Sequence, residues 1–400
     1  MPSTVFFGSA RQARLAEEES LPEKLGLILD RLHLRDRVKD ERVAIKMHVG
    51  NKGCYSTIHP VFVRKVVQAV KDGGGEPFVA DLFWDPGGAQ LRGYSPEVLG
   101  CPVYPAAGPG EKYFYPHLRP YKNIREWNVA GMIQDATFLV NFAHVKGHPT
   151  CGYGAALKNV AVGCMAGRTR GEMHDTMHFD PYWFPEHCPD QEKIKEIVAS
   201  CPFEALVPDR ERPGHIHIHM EQCNQCLRCL EVAPEGSLKI QAVNFRAFME
   251  ACAVAVREVL STFEPGKAIH LNLATFMTPL CDCYGFTTPP ILPDTGIFGS
   301  DDMVAVDQAM LDVTARSALL EEAVPLAMEV HFREGHPFRQ LHGPFKDPYL
   351  MTEYAERYGV GSREYELVDV YPLVKPERAG LPYIPSGADS GGGCPGRESP

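Results

Sequence analysis

Three cysteines at two-residue intervals, Cys223, Cys226 and Cys229, are the residues whose type and spacing point most directly to chemistry. Two-residue gaps let one tight loop direct successive thiolates to different irons of a single cube, and C-x2-C-x2-C-x3-C-P is the bacterial ferredoxin run that does this. Here the run ends in Ala233-Pro234: the proline is in place, but the fourth cysteine is replaced. The remaining ligand is expected from a distant segment. Cys281-Asp282-Cys283 is the candidate, because it closely follows a predicted strand and sites in α/β sheets assemble at strand C-terminal ends. The expectation is one [4Fe–4S] cluster on Cys223, Cys226, Cys229 and either Cys281 or Cys283. A zinc site or inert thiols compete with this reading of the run. Cys281 and Cys283 could equally be buried strand-end thiols, or one of them a redox thiol or hydrogen-bond partner.

A second set of candidates carries protons and charge. Lys46 and His48 alternate with Ile45 and Met47, so on a strand both face one side, and His144, Lys146 and His148 repeat the alternation. Lys158-Asn159 follows at a predicted helix start. A lysine on a central strand is costly to bury unless paired, so lysines at two strand ends suggest a pocket. Lys46, His48, Lys146, His148 and Lys158 are expected to orient a small anionic substrate and supply protons. The competing reading is exposed strand ends with snorkelling lysines.

Other groups are weaker. His174 and His178 are spaced to share a helical face, without the glutamate of a zincin pattern, so a core or surface pair is favoured over a chelate. His215, His217 and His219 alternate before the cysteine run, where they would tune a cluster or form a solvated face. Asp294 and Asp302 read as turn and cap residues, and Asp307, inside a helix, is less easily explained that way. Gly73-Gly74-Gly75 ends a helix and belongs to no nucleotide-binding pattern.

These side chains need a scaffold, and the hydrophobic pattern supplies one. Residues 43–49 and 77–82 read as strands, with a helix over 59–73 between them, which makes a βαβ unit and a parallel sheet. A helix is predicted over 124–134 and strands over 136–142, 268–274 and 365–371, the last at an edge. Helices are predicted over 245–263 and 302–316. The fold expected is α/β: a mostly parallel sheet flanked by helices, with a small ferredoxin-like iron–sulfur insertion. Its divisions are residues 1–178, a Cys/His/Pro-rich insertion over 179–240, a second α/β half over 241–384 and a flexible tail over 385–400. A chain of 400 residues has room for this organisation.

Bulk composition narrows the setting. A net charge of −11 argues against a nucleic-acid surface, no apolar run is long enough for a membrane helix, and no secretory signal precedes the first strand. Thirteen cysteines in a chain expected to be cytoplasmic need a role other than disulfides.

Several separated stretches resemble the DUF362 family, whose members are associated with ferredoxin modules and whose reaction is undefined. They are Ile45-Lys46-Met47-His48 with the following helix and Gly74-Gly75-Glu76-Pro77-Phe78, then residues 140–148 running into 156–163. Cys281-Asp282-Cys283-Tyr284-Gly285, Pro293-Asp294-Thr295-Gly296 and residues 300–307 complete the match. The resemblance implies an iron–sulfur cofactor and strengthens the pocket reading. Ala233 departs from the cysteine that many relatives with a ferredoxin module carry there, which argues for one cluster and not two. The function expected is a reductase-type oxidoreductase fed by an electron donor such as a ferredoxin or flavoprotein. The alternatives are a Lewis-acid hydro-lyase with an open iron, and an electron carrier or maturation partner without a substrate.

Overall fold

Parallel strands set the architecture. The computed structural model describes residues 2–82, 86–326, 328 and 334–373, so the predicted tail over 385–400 lies outside the described residues. In chain order the strands are β1 (Ser3–Ser9), β2 (Arg42–Lys46), β3 (Glu76–Asp81), β4 (Val103–Pro105), β5 (Phe114–Tyr121), β6 (Ile124–Ala130) and β7 (Phe138–His144). They continue with β8 (Lys146–His148), β9 (Gly152–Gly154), β10 (Leu206–Pro208), β11 (Ile216–Ile218), β12 (Ala268–Ala274), β13 (Gly296–Ser300) and β14 (Tyr365–Asp369). Eight of them form one sheet in the order β14-β1-β13-β12-β7-β2-β3-β4. Only β13 runs against its neighbours, and every other pairing is parallel. This is the mostly parallel α/β fold predicted from the sequence.

Helices cover both faces. On one side lie α1 (Leu21–Arg31) and α2 (Pro60–Asp72), which pack on each other and on the sheet. On the other lie α3 (Ala156–Gly163), α4 (Gly167–Asp175), α5 (Gln191–Ala199), α6 (Arg228–Val232), α7 (Ala242–Leu260) and α8 (Met303–Thr314). β7 is buried at every position, as a central parallel strand covered on both faces must be. Its alternate residues divide accordingly: Phe138, Val140 and Phe142 join the apolar cluster of α1 and α2, and Leu139 joins the opposite one. In α2, Pro60 sits at the first turn, the His59 side chain accepts the Val61 N–H, and Val63, Val66, Val67 and Val70 form the buried stripe. Gly74, at φ 81°, takes the left-handed turn that releases the chain into β3.

One predicted element is corrected. Residues 124–130 are the strand β6, not a helix, and only Gly131–Gln134 is helical. The short turn at Lys122-Asn123, with Lys122 at φ 46°, folds β6 back on β5, and the Trp127 indole N–H donates to Arg119 O at 2.7 Å. Cross-strand pairing overrides a pattern that suits a helix equally well. Within residues 179–240, α5, the β10–β11 hairpin and α6 bury Ile194, Ile197, Leu206 and Ile218 in the same apolar cluster as Phe245 and Phe248 of α7.

Candidate functional site

Because β2, β3, β7 and β12 run parallel, their C-terminal ends meet at one edge of the sheet, where α/β folds collect functional groups. A cavity of about 440 Å³ opens there, lined by Lys46, His48, Asp81, Lys146, His148, Lys158, Asn159, Arg170, His174, Glu221, Cys281, Cys283 and Tyr284. All five residues predicted to act in the pocket therefore meet at one place, together with the Cys281–Cys283 turn.

Two buried carboxylates that were not singled out from the sequence organise this edge. Asp81, the last residue of β3, receives Lys46 Nζ at 3.1 Å, His48 Nδ1 at 2.8 Å and the Val49 N–H at 3.0 Å. Burial alone would raise its pKa, but Lys46 and His48 reverse this and hold it well below the usual carboxylate range. The same contact works on His48: burial opposes its charge, yet Asp81 lifts its pKa to about 9. Lys46 also donates to Met47 O at 3.0 Å and Asn159 Oδ1 at 2.8 Å. Its three N–H donors are thereby used at 1% exposure. Lys46 thus holds Asp81, and through it His48, in place at the cavity wall. Gly163 permits this, since a β-carbon there would occupy the space of the Lys46 ammonium.

Asp282 is the second carboxylate. It accepts from Ser56 Oγ at 2.6 Å, faces His144 Nδ1 at 3.0 Å and lies 3.4 Å from Lys146 Nζ. Burial opposes its charge, but His144 and Lys146 hold its pKa well below the ordinary value. The middle residue of Cys281-Asp282-Cys283 therefore fixes the turn to the end of β7 and leaves the two flanking sulfurs on the cavity wall. A ring nitrogen of His48 and the two sulfurs form a group of possible metal-ligand atoms, all within 4.8 Å of one another.

The two thiols differ. A hydrogen bond from Cys283 is the largest influence lowering the pKa of Cys281; burial opposes it, and Lys158, His148 and His48 add to it. Cys283 moves the other way, through that hydrogen bond and burial. His148 Nδ1 accepts the Thr150 N–H at 3.1 Å, which leaves its proton on Nε2, and burial and Lys158 lower its pKa to about 3. The pKa of Lys158 is raised despite burial, because the Cys281 and Cys283 thiols favour its charge.

The start of α3 is fixed from below. Asp307, in α8, accepts from the Ala156 and Leu157 N–H groups at 3.0 Å each, from Tyr153 OH at 2.8 Å and from Asn272 Nδ2 at 2.7 Å. It thus caps the helix that carries Lys158 and Asn159 into the cavity.

The three-cysteine run stands beside this pocket and not in it. Cys223 and Cys229 are buried and Cys226 is partly exposed, on a loop that turns through left-handed Gln225 (φ 64°) and Leu227 (φ 62°) before α6. Burial raises the pKa of Cys229 to about 12, followed by the influence of Cys223, Cys201 and Cys226. Cys201 also acts on Cys223, after burial and Lys346. Cys201 is thus the further thiol whose influence reaches Cys223 and Cys229, whereas Cys281 and Cys283 influence each other and Lys158. Cys201 is followed by Pro202, as the last cysteine of a ferredoxin run is. The buried Asn224 Nδ2 and Gln225 Nε2 in the loop have no hydrogen-bond partner, which fits donors meant for cluster sulfur. Lys346, also missed from the sequence, lies beneath the loop, donates to Cys223 O and has its pKa lowered to about 8 by burial.

The remaining candidates separate. His174 lines the cavity against Phe248, while His178 stacks on His217 at 4.9 Å, so the two do not form a chelating pair. His217 and His219 pack edge to face beside β11. Asp302 caps α8 and Asp294 accepts the Phe276 N–H at 2.7 Å, as cap and turn residues do. Among the described residues no helix is long and apolar enough to cross a membrane.

Comparison with known proteins adds a family. The family model described as "Domain of unknown function (DUF362)" matches residues 43–312, a span that holds the whole cavity edge from Lys46 to Tyr284. No curated protein matches the chain significantly. Among solved structures, the lactate racemase apoprotein from Thermoanaerobacterium thermosaccharolyticum is similar at 11% identity and a TM-score of 0.33, over 68% of this chain and 50% of that one. The likeness thus spans half of that chain, and at this level it carries no argument about chemistry.

Proposed function

This chain belongs to the DUF362 family, and from its site we propose that it is a reductase-type iron–sulfur oxidoreductase acting on a small anionic substrate. Cys223, Cys226 and Cys229, with Cys201 as the fourth thiolate, would hold a single [4Fe–4S] cluster. When bound, such a cluster supplies electrons singly, at a potential set by sulfur hydrogen bonds and exposure. The observation that carries the reading is adjacency: Glu221 lines the cavity, Cys223 follows two residues later, and Tyr284 OH donates to Glu221 O at 3.4 Å.

Within the cavity the residues divide the work. Lys146 and Lys158 bind the anion, Lys158 as a cation whose charge its surroundings favour. His148, neutral, offers its Nε2–H. Lys46 and Asp81 hold His48, and Asp282 holds the Cys281–Cys283 turn. An external one-electron donor such as a ferredoxin or flavoprotein would recharge the cluster. A four-thiolate set leaves no open iron, which favours this reading over a Lewis-acid hydro-lyase. The twelve described cysteines are all free, which suits a reducing compartment such as the cytoplasm.

The test uses nitrite and sulfite as probes of small reducible anions. Dithionite-reduced protein is mixed with each under anaerobic conditions, and cluster reoxidation is followed by visible absorbance. At least one anion should reoxidise the cluster, and Lys158→Met should slow it about tenfold, the loss of roughly 1.4 kcal/mol of stabilisation. A reduced cluster indifferent to both anions and to Lys158→Met would identify an electron carrier instead.

A further inference from the structure

We propose that His48, Cys281 and Cys283 hold one thiophilic divalent metal ion, zinc in the first instance, with its open position facing the cavity. The site goes beyond the redox reading and does not depend on it. The donor atoms already converge, all within 4.8 Å of one another. A tetrahedral zinc, with bonds of about 2.3 Å to sulfur and 2.0–2.1 Å to nitrogen, needs ligand atoms roughly 3.5–4 Å apart. Only a small closing movement separates the two arrangements.

The histidine has the form of a metal ligand. His48 Nδ1 faces Asp81 Oδ2 at 2.8 Å, whereas Nε2 is buried without a hydrogen-bond partner. Metal-bound histidines ordinarily give their other ring N–H to a carboxylate, which fixes the ring and directs the free lone pair at the ion. Asp81, at the end of β3, is itself fixed by Lys46 and the Val49 N–H, so the imidazole is held by the neighbouring strand. The sulfurs are equally prepared. Cys281 Sγ caps the short turn over Asp282–Tyr284 by accepting the Cys283 N–H at 3.5 Å, and Asp282 ties the turn to His144.

Two sulfurs and one imidazole make a soft donor set, which selects zinc-like ions over magnesium or calcium. Three protein ligands leave the fourth place to water or a ligand, the arrangement of catalytic and not structural zinc. Lys146 and Lys158 line the same cavity, so the exchangeable ligand is an anion, a small carboxylate or oxyanion bound through one oxygen.

Zinc K-edge X-ray absorption on the full chain, with iron and zinc content measured in parallel, tests the assignment without interference from iron. The wild type should carry one zinc with a shell of two sulfurs at about 2.3 Å and lighter N/O neighbours. Cys281→Ser/Cys283→Ser should lose the zinc and keep its iron, and Asp81→Asn should weaken zinc binding by about 10–100-fold. A zinc shell without sulfur, or zinc retained in the double variant, overturns the proposal. A four-sulfur shell also overturns it, and would place zinc on the Cys201–Cys229 thiols and end the cluster reading as well. Iron missing while the two-sulfur zinc persists would end the cluster reading alone. The wild-type spectrum decides even where a variant fails to fold.

Discussion

Two sulfur centres lie side by side in this molecule and their environments are opposite. Around Cys223 and Cys229, burial and neighbouring thiols keep protons on sulfur, and Cys229 rises to about 12. Around Cys281, a neighbouring thiol, Lys158 and two histidines favour the thiolate. Reactivity therefore follows surroundings and not residue type. The first centre needs a strongly bound metal to ionise it. At the second the surroundings favour the thiolate of Cys281, and its carboxylates spend their charge on holding the site in place.

Breaking the distinction outright has the largest expected effect. Cys201→Ser should lower bound iron several-fold, while Cys281→Ser/Cys283→Ser leaves iron unchanged; iron analysis of both variants decides, and the reverse pattern would merge the two centres. Next in size is the anchor of the second centre. Asp282→Asn leaves His144 and Lys146 buried without their anion and should cost about 3–5 kcal/mol in urea unfolding. The sign of its pH dependence follows from the lowered pKa of Asp282. Its contribution is complete above the unfolded carboxylate value of about 4 and is lost as pH falls below it. Wild-type stability should thus drop more steeply than that of the Asn variant in that range.

A smaller effect probes ionisation directly. In metal-free protein, alkylation of Cys281 by iodoacetamide should fall less steeply with falling pH than that of an ordinary thiol. Lys158→Met should slow it at the acid end, about tenfold for each unit by which the thiol rises. A rate that climbs tenfold per pH unit in the wild type would show that Cys281 is an ordinary buried thiol. The smallest effect belongs to the first centre. Asn224→Ser removes an unpartnered buried Nδ2 together with the Oδ1 that accepts the Cys226 N–H at 3.2 Å, so it should cost apo stability about 1 kcal/mol. It should also move the cluster potential to more negative values in a redox titration.

The fold was legible where burial is complete. β7 reads as a strand because a parallel strand covered on both faces is a nearly continuous apolar run, β12 because Ile269, Leu271 and Leu273 alternate along it, and α2, α7 and α8 read as helices from their buried stripes. Residues 124–130 misled because Ile124, Trp127 and Ala130 recur at a spacing that suits a helix, and only the partner β5 decides. β13, with Gly296 and Gly299 in five residues, carries too little pattern to announce itself. The lysines and histidines of the pocket were visible as alternating strand ends. Asp81 and Asp282 were not, because a carboxylate becomes an anchor only through residues distant in sequence. Cys201 was hidden for the same reason, although its Cys-Pro dipeptide was in plain view.

The central claim is that Cys201, Cys223, Cys226 and Cys229 carry iron and sulfide. Iron and acid-labile sulfide analysis of anaerobically purified protein tests it most directly. About four irons and about four sulfides per chain, beyond any zinc, are predicted. A chain with zinc bound to those thiols and no labile sulfide would contradict it.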